Sequence, residues 1–236
     1  MKQLVFVFTL VSLWLSPQLA AEPCVFEAQL VLPAALEGRR AEFSQVLLQA
    51  QRRLLSFARR QDCDHLMLQP LMARAQIFDN KAAFDAHLRR IFQASDQKIP
   101  ASFVAGFVGG DFFAVTPELY SHNVPQFVEA DSYEKLICHE LAHRLHIRLV
   151  NGNEDKMGPM WFWEGFATYA AGQFEADVTL PTRQEVEQIM ARPERGDYRV
   201  YNRVFKYFVK LVTPTELVRR AALPGFNEWL LENAAP

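Results

Sequence analysis

Apolar residues recur along this chain at two spacings, and the switches between those spacings lay out its elements. Over residues 41–58, Phe43, Val46, Leu47, Ala50, Leu54 and Phe57 fall at steps of three and four. That spacing predicts an amphipathic helix whose polar side, with Arg52, Arg53, Arg59 and Arg60, is a solvated face. Residues 66–78 end in Ala75-Gln76-Ile77-Phe78, which reads as a strand, and Asp79-Asn80 then caps a helix over 81–93. Two apolar runs, 103–108 and 112–115, surround Gly109-Gly110-Asp111 and predict a hairpin. A longer helix follows over 131–152. Asp131 and Glu134 can form a capping box at its start, Ile137, Leu141, Leu145 and Leu149 make an apolar stripe at steps of four, and Gly152 can end it.

Another helical stretch begins after Pro159, which suits a first turn, and runs through Thr168, Tyr169 and Ala171 to Gly172. Thr182 and Glu185 form a second capping box for a short helix. Residues 197–208 read as a helix rich in aromatic residues, Pro214 opens another after Thr213, and 226–231 closes the core. Strands with helices in the first half and helices almost alone in the second make the fold class α+β.

At the amino end the pattern differs. Lys2 precedes an apolar run over 4–15, broken by Thr9 and Ser12, and then come Pro17 and small residues. Residues 1–21 therefore read as a secretory signal peptide, too short to make a convincing membrane span. Cleavage removes Lys2 and takes the formal charge from -2 to -3, so an exported, periplasmic or secreted protein with no stable membrane span is expected. Half of all residues (50%) are hydrophobic, enough for a sizeable core, and the slightly acidic balance gives no bulk signal for nucleic acid. In an oxidising compartment Cys24 and Cys63 can pair, while Cys138 reads as a core residue.

The chemistry lies in the 131–152 helix. His139-Glu140-Leu141-Ala142-His143 is an H-E-x-x-H motif, and residues four apart on a helix lie nearly above one another. His139 and His143 can then offer two imidazole nitrogens to one cation, with Glu140 beside them as a general base. Alone, the pattern equally suits core residues whose hydrogen bonds are satisfied. Downstream, Trp161-Phe162-Trp163-Glu164-Gly165-Phe166-Ala167 supplies a third ligand, Glu164. Two histidines and one glutamate are a set that holds catalytic zinc with one position left for water.

Together, His139 to His143 and the later Trp161-x-x-Glu164-Gly165-Phe166-Ala167 resemble the gluzincin metallopeptidases, most closely the aminopeptidase-N-like branch. The resemblance covers roughly residues 98–212. It implies a zincin fold, with a small twisted sheet over an active-site helix and a mostly helical lower half. Residues 22–95 would then form an N-terminal α/β portion packed on a catalytic portion over 96–236. It also implies Zn2+ held by His139, His143 and Glu164, Glu140 as catalytic base, and a peptide or protein substrate. An edge strand before the motif helix would lend its backbone to that substrate, and Thr168 could present its hydroxyl to a liganding histidine. In this resemblance a tyrosine donates to the oxyanion, and Tyr198 fits best by its spacing to Tyr207-Phe208, with Tyr201 as the alternative.

Departures from the pattern are equally specific. The metzincin third histidine would fall at position 149, which is Leu149, and His146 reads as a histidine behind the ligands or at the surface. A G-x-M-E-N segment, which holds the substrate's free amino terminus in the aminopeptidases, is absent. Trp163 stands where a small polar residue is common. A zinc protein that recognises peptides or cell-wall components without cleaving them is the alternative reading, although binding alone does not require Glu140.

Overall fold

The computed structural model describes residues 25–93, 98–192 and 196–233. The leader expected over 1–21, and Cys24 of the expected Cys24–Cys63 pair, lie outside them. Four strands form one mixed sheet: β1 (Gln29–Val31), β2 (Arg74–Phe78), β3 (Ala105–Val108) and β4 (Asp111–Val115), in the order β1-β2-β4-β3. β1 and β4 both run parallel to β2, with Ala75 opposite Phe112 and Ile77 opposite Ala114. β3 pairs antiparallel with β4 and is an edge of the sheet. Gly109, at φ +59, makes the left-handed turn between them. Ala75 and Ile77 of β2 and the whole run from Phe112 to Val115 are buried, because helices cover the sheet's centre.

The first helix, α1 (Arg40–Arg60), presents Phe43, Leu47, Ala50, Leu54 and Phe57 to the core as its spacing predicts. Asn80 caps α2 (Lys81–Ile91) by accepting from the Ala83 N–H, and this helix ends two residues before its expected end. After α3 (Pro117–Asn123) comes the motif helix, α4 (Ser132–Leu149). Ile137, Leu141 and Leu145 are fully buried and Leu149 is half-buried, so the predicted stripe seats this helix in the core. The Tyr133 hydroxyl donates to the Val115 carbonyl at 2.7 Å, tying the start of α4 to the sheet. At its other end Arg148 donates to the carbonyls of Gln69 and Pro70, which adds a cation where the helix dipole is negative.

The expected capping box at the start of α4 does not form. Asp131 is left-handed, at φ +57, and makes no side-chain cap. Glu134 instead pairs with Arg53 of α1 at 2.6 Å. Arg53 is correspondingly withdrawn from the solvated face assigned to it, because a tertiary ion pair offers both groups a partly buried partner that a local cap does not.

The carboxyl half is helical: α5 (Met160–Ala171), α6 (Arg183–Met190), α7 (Tyr198–Val209), α8 (Pro214–Ala221) and α9 (Phe226–Asn233). The Thr182–Glu185 capping box is present as read, and Thr213 caps α8. α5 and α7 pack against one another very closely at Gly165. A Cβ there would lie 2.9 Å from both the Phe205 Cβ and the Tyr201 carbonyl oxygen. Glycine at 165 thus lets α7 approach the turn of α5 that carries Glu164. No described helix is long and apolar enough to cross a membrane.

His146 is not at the surface. It is fully buried, with Phe166 at 4.7 Å and Phe162 at 5.7 Å between ring centroids, and neither of its nitrogens has a hydrogen-bond partner. Burial, with the nearby His143, pushes its pKa down to about 3. An unfolded histidine binds its proton near pH 6.5, so folding stability contributed here is lost as pH falls from about 6.5 towards about 3. His146→Leu is expected to raise stability at pH 7 by about 1–3 kcal/mol, since it removes an unsatisfied buried group. Its advantage over wild type should widen by about 2 kcal/mol between pH 7 and pH 5. Urea unfolding of both proteins at the two pH values checks this; a constant gap would show that His146 is not buried neutral.

Candidate metal centre

Helical spacing brings the motif side chains together as the sequence suggests. His139 and His143 sit one above the other on α4, with their Nε2 atoms 3.1 Å apart. Glu164, from the first turns of α5, places its Oε2 3.1 Å from the His139 Nε2 and 3.5 Å from the His143 Nε2. These three form a His-His-Glu group that can hold a metal ion. Bonds of 2.0–2.1 Å directed to the corners of a tetrahedron put ligand atoms about 3.3 Å apart, so this triangle has the size of one face of such a site.

Tautomer and charge fit a cation as well. The His139 Nδ1 lies 3.0 Å from Gln173 Oε1, which can only accept, so Nδ1 carries the hydrogen and Nε2 is the atom left to face the centre, where a metal ion or, without one, a proton can sit between it and Glu164. Burial alone would push the Glu164 carboxyl up, but hydrogen bonds and charge from the two imidazoles outweigh it and hold the pKa at about 2. For His139, burial pushes down, while Glu164 in contact and Glu140 nearby push up, and the net shift is upward. A buried carboxylate and two imidazoles facing one point thus favour positive charge at that point. The His143 Nδ1 is buried without a hydrogen-bond partner, and its ring is held by the edge of Trp163, with centroids 5.3 Å apart.

Gln173 is a residue the sequence reading missed, and it takes the place given to Thr168. The Thr168 hydroxyl lies against the carbonyls of Glu164 and Gly165, 3.0 and 2.9 Å away, and accepts from Asn202 at 3.2 Å. It braces the helix backbone behind Glu164 and does not reach a histidine. Gly172, left-handed at φ +68, ends α5 and turns the chain back, so that the next side chain points at His139. The Phe174 N–H donates to Glu129 and its carbonyl accepts from Lys206, clamping that turn. An amide residue straight after a helix-ending glycine was the signal available.

Glu140 lines the same cleft, of about 520 Å³, as His139, His143 and Glu164. Tyr198, the first residue of α7, lines it too, with its ring stacked on His139 at 5.6 Å and on Phe127 at 5.9 Å. Tyr201 is buried, and its hydroxyl accepts from the Gly196 N–H at 2.5 Å, which ties down the loop before α7. Cys138 faces away into the core, with its thiol pKa pushed up by burial. Along one side of the cleft run Val104 to Phe107, which include the edge strand β3.

Comparisons of the chain with protein-family models, with curated proteins and with solved structures find no match. A four-stranded mixed sheet followed by a mostly helical half, with a buried His-x-x-x-His and Glu group on two packed helices, fits zincin-like architecture.

Proposed function

We propose that this protein is an exported zinc peptidase that hydrolyses peptide bonds, with zinc held by His139, His143 and Glu164. The observation that carries this reading is the convergence of three ligand atoms within 3.5 Å, with Glu140 facing the same cleft. Zinc at such a site lowers the pKa of a coordinated water to about 7 and polarises a carbonyl oxygen.

The chain's own groups do the rest. Glu140 takes a proton from the attacking water, whose oxygen bonds to the peptide carbon; the carbon–nitrogen bond then breaks, and the amine leaves with that proton. Tyr198, whose ring stacks on His139 in the cleft, would donate its hydroxyl hydrogen to the carbonyl oxygen as negative charge develops there. β3, an edge of the sheet whose residues line the cleft, would lend its backbone to an extended substrate, a pairing in which main-chain hydrogen bonds bind and side-chain pockets select. Gln173 fixes the tautomer and tilt of His139.

Incubating the protein with a mixed peptide library and reading products by mass spectrometry tests the proposal. New termini should appear with zinc present, vanish with a chelator and return when zinc is restored. A library left intact with zinc bound would overturn it.

A further inference from the structure

Pro100 and Phe103 line two hollows at once. One is the metal cleft; the other is a mostly apolar hollow of about 160 Å³, walled also by Leu88, Phe92 and Ile99 and by Arg89 and Lys98. Phe92 is 56% exposed and is the one aromatic ring among the strongly exposed large apolar side chains of the described residues. A phenylalanine left this open beside a hollow that shares two wall residues with the metal cleft marks a surface suited to an apolar group. The metal cleft is lined as well by Trp163, against His143, and by Phe107, beneath the Arg144 guanidinium.

Length and charge narrow what such a groove accepts. Phe103 to Phe107 spans four steps of near-extended chain, about 13 Å at roughly 3.3 Å each, so an extended partner needs about five residues to run beside it. Among the described residues that line the cleft there is no lysine, arginine or aspartate, and no glutamate other than Glu140 and Glu164. Those two already have tasks, which leaves no described charge lining the cleft itself to fix a terminus next to the cleaved bond; the cations close by are Arg144, over Phe107, and Arg89 and Lys98 at the outer hollow.

We propose that the substrate is an internal stretch of extended polypeptide, with an apolar side chain several residues from the cleaved bond seated in the Leu88, Phe92 and Ile99 hollow. This rests on the peptidase reading and adds to it a mode of action within chains and a remote subsite. Because none of His139, Glu140, His143 and Glu164 lines it, the hollow would act through binding.

Peptides acetylated and amidated at their ends, four and eight residues long, test it with the zinc-loaded protein. The eight-residue peptide should be cut with kcat/KM at least about tenfold above the four-residue one, the gain expected from burying one apolar side chain. Glutamate in place of the outer apolar residue, or Phe92→Glu in the protein, should remove most of that ratio. A ratio near one, a ratio unchanged by Phe92→Glu, or cleavage only of peptides with a free terminus would overturn the inference. If no peptide of either length is cut, the peptidase reading fails separately. Fluorescence anisotropy of the labelled eight-residue peptide then decides the groove: Phe92→Glu should weaken binding about tenfold, and equal affinity would overturn it.

Discussion

Glu140→Gln is expected to lower peptide hydrolysis by at least about a hundredfold while the protein keeps its zinc. Glutamine has nearly the same shape as glutamate but cannot accept the water's proton, so the substitution removes one chemical act and little else. Glu140 is not one of the three atoms that converge on the metal position, and its side chain opens to the cleft, so the amide can be solvated there. Hydrolysis of a blocked eight-residue peptide and metal content measured on the same sample separate the two effects. Turnover close to wild type would remove Glu140 from the mechanism; loss of zinc would place it among the ligands.

Glu164→Ala carries the second large effect, on the metal itself. Glu164 is 1% exposed and supplies the only anionic member of the ligand group. Without it two neutral imidazoles remain, and the opposing charge that favours a cation at that point is gone. Changing groups behind the ligands costs ten- to a hundredfold in metal affinity, so loss of a ligand should weaken zinc binding by at least about a hundredfold. Competition against a chromophoric chelator reads this directly. An affinity equal to wild type would mean that the metal is held elsewhere.

Local geometry explains what the sequence made legible. His139 and His143 meet because the rise and turn of any α-helix bring residues four apart onto one face, and nothing distant is needed. The caps at Thr182 and Thr213 and the stripe from Ile137 to Leu145 are local in the same way. Glu164 was legible because its surrounding residues resemble a known motif; its distance from the histidines was not, and depends on how α5 packs against α4.

What stayed hidden was decided by contacts between distant parts of the chain. Glu134 has a capping partner three residues away, yet it takes Arg53, 81 residues distant. Gln173 displaces Thr168 because the reversal at Gly172 aims one side chain and not the other. His146 looked polar by type, but the aromatic face of α5 folds over it. Sheet order could not be read either. The β2–β4 pair brings together segments separated in sequence by a helix and by β3, and its parallel register depends on how those distant segments pack.

The measurement that bears most directly on the central claim is the zinc content of the purified wild-type protein by elemental analysis. About one zinc per chain is expected, since three protein ligands and a water complete a single tetrahedral site. A protein that holds no zinc after zinc has been supplied, with His139, His143 and Glu164 intact, would contradict it.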